Sequence, residues 1–167
     1  MQKQEKSLYM TVLMTPDMAN FSGRVHGGAL LKILDQVAYA CAARYCKCYV
    51  VTASLDQVVF KEPIFVGELV SFSAHVNYVG KTSMEVGIRV ESENIITKVT
   101  RHTNSCYFTM VARGEENSIV VVPPLQFENE AEKQLYEAAK LRRSLRKEID
   151  EKYAELRLKI ETPKSVA

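Results

Sequence analysis

The stretch that decides the fold runs from Asp17 to Tyr45, "DMANFSGRVHGGALLKILDQVAYACAARY". Its second half places apolar residues at Leu30, Leu31, Ile33, Leu34, Val37, Ala38, Ala40, Cys41 and Ala42. That set covers far more than one stripe, so it predicts a helix over about residues 28–46 that is buried on several sides. Two features disturb the pattern. Asp35 puts a carboxylate among apolar neighbours, and a buried carboxylate needs a partner or access to water. Gly27 and Gly28 open the helix with residues that cost ~1 kcal/mol each relative to alanine in a helix interior. At a helix start that cost is smaller. There the first backbone N–H groups are unpaired and carry the positive end of the macrodipole. Without a Cβ beside them they can approach a ligand oxygen closely, as in an oxyanion hole. A plain tight turn would also account for the two glycines.

Asp35 follows Gly27 by two helical turns, about 12 Å along the axis. One helix therefore cannot aim its N-terminal amides and Asp35 at the same atom. Two copies packed antiparallel across a two-fold axis can, which would give two equal composite sites per dimer. The alternative is a local pairing of Asp35 with Lys32, Arg44 or Lys47. Asn20, in the loop before the glycines, could orient water or hydrogen-bond a carbonyl. His26 could touch substrate or only satisfy backbone at the loop–helix junction.

Outward from this stretch the pattern changes to strands. "LYMTVLM" (8–14) precedes it, and "YVVTASLDQVVF" (49–60) follows with β-branched, partly alternating residues. "LVSFSAHVNYV" (69–79) puts Val70, Phe72, Ala74, Val76 and Tyr78 on one face, and "TSMEVGIRVESEN" (82–94) does the same with Met84, Val86, Ile88 and Val90. "VGKT" (79–82) between them reads as a hairpin turn, and "VTRHTNSCYFTMVA" (99–112) as a further long strand. "IVVV" (119–122) ends at a Pro-Pro stop. A strand, a long helix and a run of antiparallel strands imply an α+β fold, one curved antiparallel sheet wrapped around a central helix. That domain spans 1–124, and 125–167 forms a C-terminal amphipathic helical extension. In the extension, Leu135, Ala138, Leu141, Leu145, Ile149, Tyr153, Leu156 and Ile160 recur at steps of three and four. Such a helix approaches about 50 Å and suits helix packing or a subunit contact. "RRSLRK" (142–147) is flanked by acidic residues and reads as a solvated helix face rather than a nucleic-acid patch.

Composition narrows the class. The 167 residues are 47% hydrophobic and 25% charged with a net charge of +2, a balance that opposes disorder and gives no electrostatic case for nucleic acid or membrane. "MQKQEKSLYMTVLM" lacks a signal peptide's apolar core, so a cytoplasmic protein is expected. Cys41, Cys46, Cys48 and Cys106 form no CxxC pair, so free thiols are expected and no metal site.

The run Asn20-x-x-Gly23-x-x-His26-Gly27-Gly28-x-Leu30-Leu31-x-x-x-Asp35 resembles the motif of hotdog-fold acyl-CoA thioesterases, the cytosolic acyl-CoA hydrolase family. "TASLDQVVFKEPIFVGELV" (52–70) is similar to that family's second strand, with Asp56, Phe60, Pro63 and Gly67 at its spacing, and "GKTSMEV" (80–86) to its hairpin. The resemblance covers roughly residues 8–124. It implies hydrolysis of fatty acyl-CoA to free acid and CoA by Asn20 and Asp35 from opposite subunits. Asp35 would serve as general base or nucleophile, Asn20 would position water or thioester, and the Gly27 and Gly28 amides would hold the oxyanion. His26 would contact substrate. Pantetheine would lie beside Val58, Val59, Phe60 and Lys61, and the CoA phosphates at Gly80, Lys81, Thr82 and Ser83, with Arg89 and Arg101 as weaker candidates. No metal and no cofactor beyond the CoA of the substrate is implied. The expected assembly is a homodimer of hotdogs, further grouped as a hexameric trimer of dimers. Gln36 departs from relatives that often carry an acid there, which bears on pH optimum. A hotdog dehydratase or hydratase using His26 and Asp35, and a non-catalytic acyl-CoA-binding module, are the competing functions.

Overall fold

Alternation of apolar and polar residues builds the sheet. The structure is a computed structural model that describes residues 4–161. Its strands are β1 (Ser7–Leu13), β2 (Tyr49–Leu55), β3 (Leu69–Val79), β4 (Ser83–Glu93) and β5 (Thr100–Arg113), with helices α1 (Gly27–Cys46) and α2 (Glu130–Glu161). The strands form one antiparallel sheet in the order β1-β3-β4-β5-β2. Every second residue turns inward. Val70, Phe72, Ala74 and Val76 of β3, Met84, Val86, Ile88 and Val90 of β4, and Cys106, Phe108, Met110 and Ala112 of β5 are all buried. They close over Leu30, Ile33, Leu34, Val37, Ala38, Cys41 and Ala42 of α1 in one apolar core. This is the expected sheet around a helix.

The strand after α1 is shorter than its apolar run. The β-branched pattern continues to Phe60, but β2 stops at Leu55. Its register against β5 shifts between Thr52 and Ser54, and this bulge bends the chain off the ladder. Beyond it only scattered bonds remain, Asp56 N–H to Tyr107 O at 3.0 Å and Lys61 N–H to Thr103 O at 3.1 Å. "IVVV" makes no strand. A single bridge joins Ile119 to Arg113, and Val122 packs into the core while its N–H reaches Lys81 O.

α1 also departs from expectation. Burial covers one broad face, while Lys32, Asp35, Gln36, Tyr39 and Arg44 form an exposed stripe. Asp35 is therefore not inside the protomer's core. The alanines beside the stripe made the helix look apolar all round, although small residues tolerate either setting. Lys47 ends α1 in the left-handed region at φ 53°, its N–H bonded to Ala43 O.

The chain divides into two compact units at Gln126/Phe127. In the second, Asn129 Oδ1 accepts the Glu132 N–H and the Glu132 carboxylate accepts the Glu128 N–H, a reciprocal cap at the start of α2. Lys133–Glu130, Lys140–Glu137 and Lys152–Glu148 pairs line its polar surface.

Candidate active site

The loop before α1 is rigid because Asn20 ties it to itself. Asn20 Oδ1 accepts from Ser22 N–H (2.9 Å), Ser22 Oγ–H (2.7 Å) and Arg24 N–H (3.1 Å). Its backbone N–H reaches Arg24 O at 2.6 Å, and Gly23 turns the chain at φ +76°, where an L side chain is strained. The loop is anchored outward by His26 N–H to Met18 O and Val25 N–H to Ile64 O. Three donors on Oδ1 fix the orientation of the amide and leave Nδ2 as the group Asn20 can offer. Among the described residues Nδ2 has no partner. Asn20 therefore offers a donor at this point of the loop.

The two glycines have different jobs. His26 is the N-cap of α1, and its Nδ1 accepts the Gly28 N–H at 2.8 Å. A Cβ on Gly28 would stand 3.0 Å from the imidazole, so a larger residue there would press on the cap. The Gly28 amide is consequently spent, which corrects the expectation that both glycine amides face an oxyanion. The same cap fixes the His26 ring by Nδ1 and so weakens its candidacy as a dehydratase base. The Gly27 N–H has no acceptor among the described residues. It opens on a cavity of about 230 Å³ lined by Asn20, Gly27, Leu30, Phe60 and Ile64, with the exposed Arg24 and Glu62 on the solvent side.

Buried electrostatics anchor the segment that follows Ile64. Glu68 is buried and accepts from Arg101 Nη2 (2.6 Å), Phe65 N–H (3.0 Å) and the Ser92 hydroxyl. A buried carboxylate is tolerable only with such pairing. The Phe65 ring in turn lies under two guanidinium groups, Arg24 at 5.7 Å and Arg101 at 5.4 Å from its centroid.

Asp35 lies elsewhere. Its Oδ1 accepts the Thr52 hydroxyl at 2.6 Å, joining the exposed stripe of α1 to β2. None of the three proposed local cations takes it: Arg44 pairs with Glu5 at 2.8 Å, and among the described residues Asp35 has no ion pair. β2 is the terminal strand of the sheet, and Tyr39 and Tyr49 meet edge to face beside it, with ring centroids 6.2 Å apart.

The remaining candidates scatter. Of Val58, Val59, Phe60 and Lys61, only Phe60 lines the cavity, its ring 3.6 Å from where a Gly27 Cβ would be. Gly80 to Ser83 form the β3–β4 turn, closed by Gly80 N–H to Ser83 O at 2.7 Å. The cavity lies at the other end of the 11-residue β3, about 35 Å away along the strand. One protomer therefore does not bring Lys81 to its own cavity. Arg89 is paired with Glu91, and Arg101 is engaged by Glu68. Among the described residues no cluster of His, Cys, Asp or Glu is arranged to hold a metal ion, and no helix is long and apolar enough to cross a membrane.

Residues 22–99 match the model of the thioesterase superfamily. The chain is 50% identical to protein VdlD of Helicobacter pylori over 139 residues, 83% of this chain and 79% of that one. It is 33% identical to the cytosolic acyl coenzyme A thioester hydrolase of Mus musculus over 154 residues, but spans only 40% of that protein's length. Two solved structures superpose with a TM-score of 0.83. One is an apo-hexameric acyl-CoA thioesterase (36% identity, 86% of this chain, 92% of that one). The other is the acyl-CoA hydrolase of Staphylococcus aureus with butyryl coenzyme A, coenzyme A and coenzyme A disulfide (28%, 95% and 96%). The chain belongs to the hotdog-fold acyl-CoA thioester hydrolase family. Further structures of the S. aureus enzyme carry alanine in place of an asparagine, an aspartate fifteen residues on, and a threonine seventeen residues beyond that. Asn20, Asp35 and Thr52 stand at the same two spacings. Thr52 opens the stretch that resembles the family's second strand but was given no role of its own from the sequence.

Proposed function

We propose that the protein hydrolyses acyl-CoA to the free acid and CoA at composite sites, each made by two subunits. The observation that carries this reading is the division of parts within one protomer. Asn20 and Gly27, whose Nδ2 and N–H are unpartnered among the described residues, line a largely apolar cavity, while the carboxylate of Asp35 sits outside it beside the terminal strand β2. A two-fold axis along that edge brings the donors of one subunit to the carboxylate of the other.

The thioester carbonyl oxygen then accepts from Asn20 Nδ2 and Gly27 N–H, and both bonds strengthen as the oxygen gains charge in the tetrahedral intermediate. Asp35 of the second subunit either removes a proton from the attacking water or attacks the carbonyl itself, forming an anhydride that water opens. CoA leaves as a thiolate; thiols ionise near pH ~8.5, so departure needs little acid assistance. Pantetheine runs beside residues 58–61, and the second subunit's Lys81 hairpin meets the phosphates. A dimer is the smallest active unit, grouped further into a hexamer as in the hexameric neighbour, and the cytoplasm is its compartment.

The test is CoA-thiol release from acyl-CoA by wild type and Asp35→Ala, with size-exclusion chromatography of both. A loss of about 10²-fold or more in a variant of unchanged oligomeric state is expected. A well-folded wild type that turns over no thioester would sink the proposal.

A further inference from the structure

We infer, on the basis of the proposed thioesterase site, that its substrates are short- to medium-chain acyl-CoAs, about four to eight carbons long. The cavity beside Asn20 and Gly27 is where an acyl chain fits once its carbonyl meets those donors, because apart from Arg24 and Glu62 the rest of the lining is apolar. Its floor is closed. Leu30 (2% exposed) and Ile64 (5%) belong to the main core, so close-packed side chains stand behind them. Its flank is closed by the Phe60 ring, packed 3.6 Å from the Cβ position of Gly27. Its solvent side carries Arg24 and Glu62, both exposed and neither ion-paired among the described residues. Arg24 is held there by its position over Phe65.

Size sets the limit. The cavity measures about 230 Å³, and a water-sized group takes about 30 Å³ in a liquid, so it holds about eight heavy atoms. It falls below the ~300 Å³ at which pockets for larger ligands begin. A longer chain must either force apart a close-packed core or run past two charges into water, where added methylenes gain no burial.

The experiment is kcat/KM against saturated acyl-CoAs of two to sixteen carbons, for wild type, Ile64→Ala and Glu62→Leu. Wild type should peak at or below about eight carbons and fall at least about tenfold by sixteen. Ile64→Ala should move the optimum up by about two to three carbons, since it removes three carbons from the floor. Glu62→Leu changes an exposed residue outside the core and should raise the twelve-to-six-carbon rate ratio several-fold even if Ile64→Ala does not fold. A wild-type optimum at fourteen to sixteen carbons, or a profile that neither folded variant moves, overturns the inference. Absence of hydrolysis at every length would instead overturn the thioesterase reading on which it rests.

Discussion

Asp35 can serve one reaction repeatedly only if its carboxylate keeps one orientation, and the Thr52 hydroxyl at 2.6 Å supplies that hold. So short a bond to one carboxylate oxygen orients the group, and Oδ2 keeps no hydrogen-bond partner among the described residues. Thr52→Val keeps the shape and removes the hydroxyl. It should lower kcat about 10²-fold with KM nearly unchanged, the cost of a misplaced reactive group, while Thr52→Ser retains most activity. Equal kcat for Thr52→Val and wild type would show that the bond is incidental. Asn20, Gly27 and Asp35 could be nominated from the sequence, because a glycine pair at a helix start and a carboxylate on that helix stand out and the family resemblance supplied their proposed roles. Thr52 was not, since its contact joins a strand to a helix position 17 residues earlier and exists only once the sheet has formed. The unequal use of Gly27 and Gly28 was hidden for a similar reason. Nothing in "HGG" says which amide the imidazole will cap.

Elements with a strong period were readable, and those whose ends depend on hydrogen bonding were not. β3 and β4 follow from alternation, because one face had to be buried. β2 was overestimated because apolar content reports burial, while the bulge at Thr52/Ser54 decides where the ladder stops. The packing of the segment after β5 was equally invisible, and Tyr45 explains it. Near the C-terminal end of α1, its hydroxyl donates to Pro123 O at 2.9 Å and binds that segment to the helix. Tyr45→Phe should cost about 1 kcal/mol in urea unfolding, the net value of one such bond. Burial also pushes Tyr45 from 10.0 up to about 12, and the Cys41 and Cys106 thiols from 9.0 up to about 12. All three hold their protons more tightly folded than unfolded. Their contribution is whole below pH 9.0 and is lost as pH rises toward about 12. The urea midpoint should therefore hold steady from neutral pH to about 8.5 and fall above about 9. A midpoint that rises over that alkaline window would contradict the burial of these groups.

At the scale of the whole molecule the fold poses one question, whether the donors and the carboxylate meet within a chain or between chains. The geometry of one protomer favours the second. Asp35 sits two turns beyond Gly27 on α1, it does not line the cavity, and its neighbours Tyr39 and Tyr49 are exposed along a terminal strand. An uncovered terminal strand with large apolar side chains is a liability unless something pairs with it. Subunit mixing separates the two answers. Asn20→Ala and Asp35→Ala are each expected to be nearly inactive alone. When the two are unfolded together and reassembled, about half the dimers are mixed, and each mixed dimer holds one doubly altered site and one intact site. Activity should return to about a quarter of the wild-type value, whether the dimers stand alone or are grouped into hexamers. A site built within one chain can recover nothing, because every chain carries one of the two lesions. Failure of the mixture to exceed its separate components, with mixed dimers demonstrated by differential tags, would return Asp35 to its own subunit and require a second path for the carboxylate to reach the cavity.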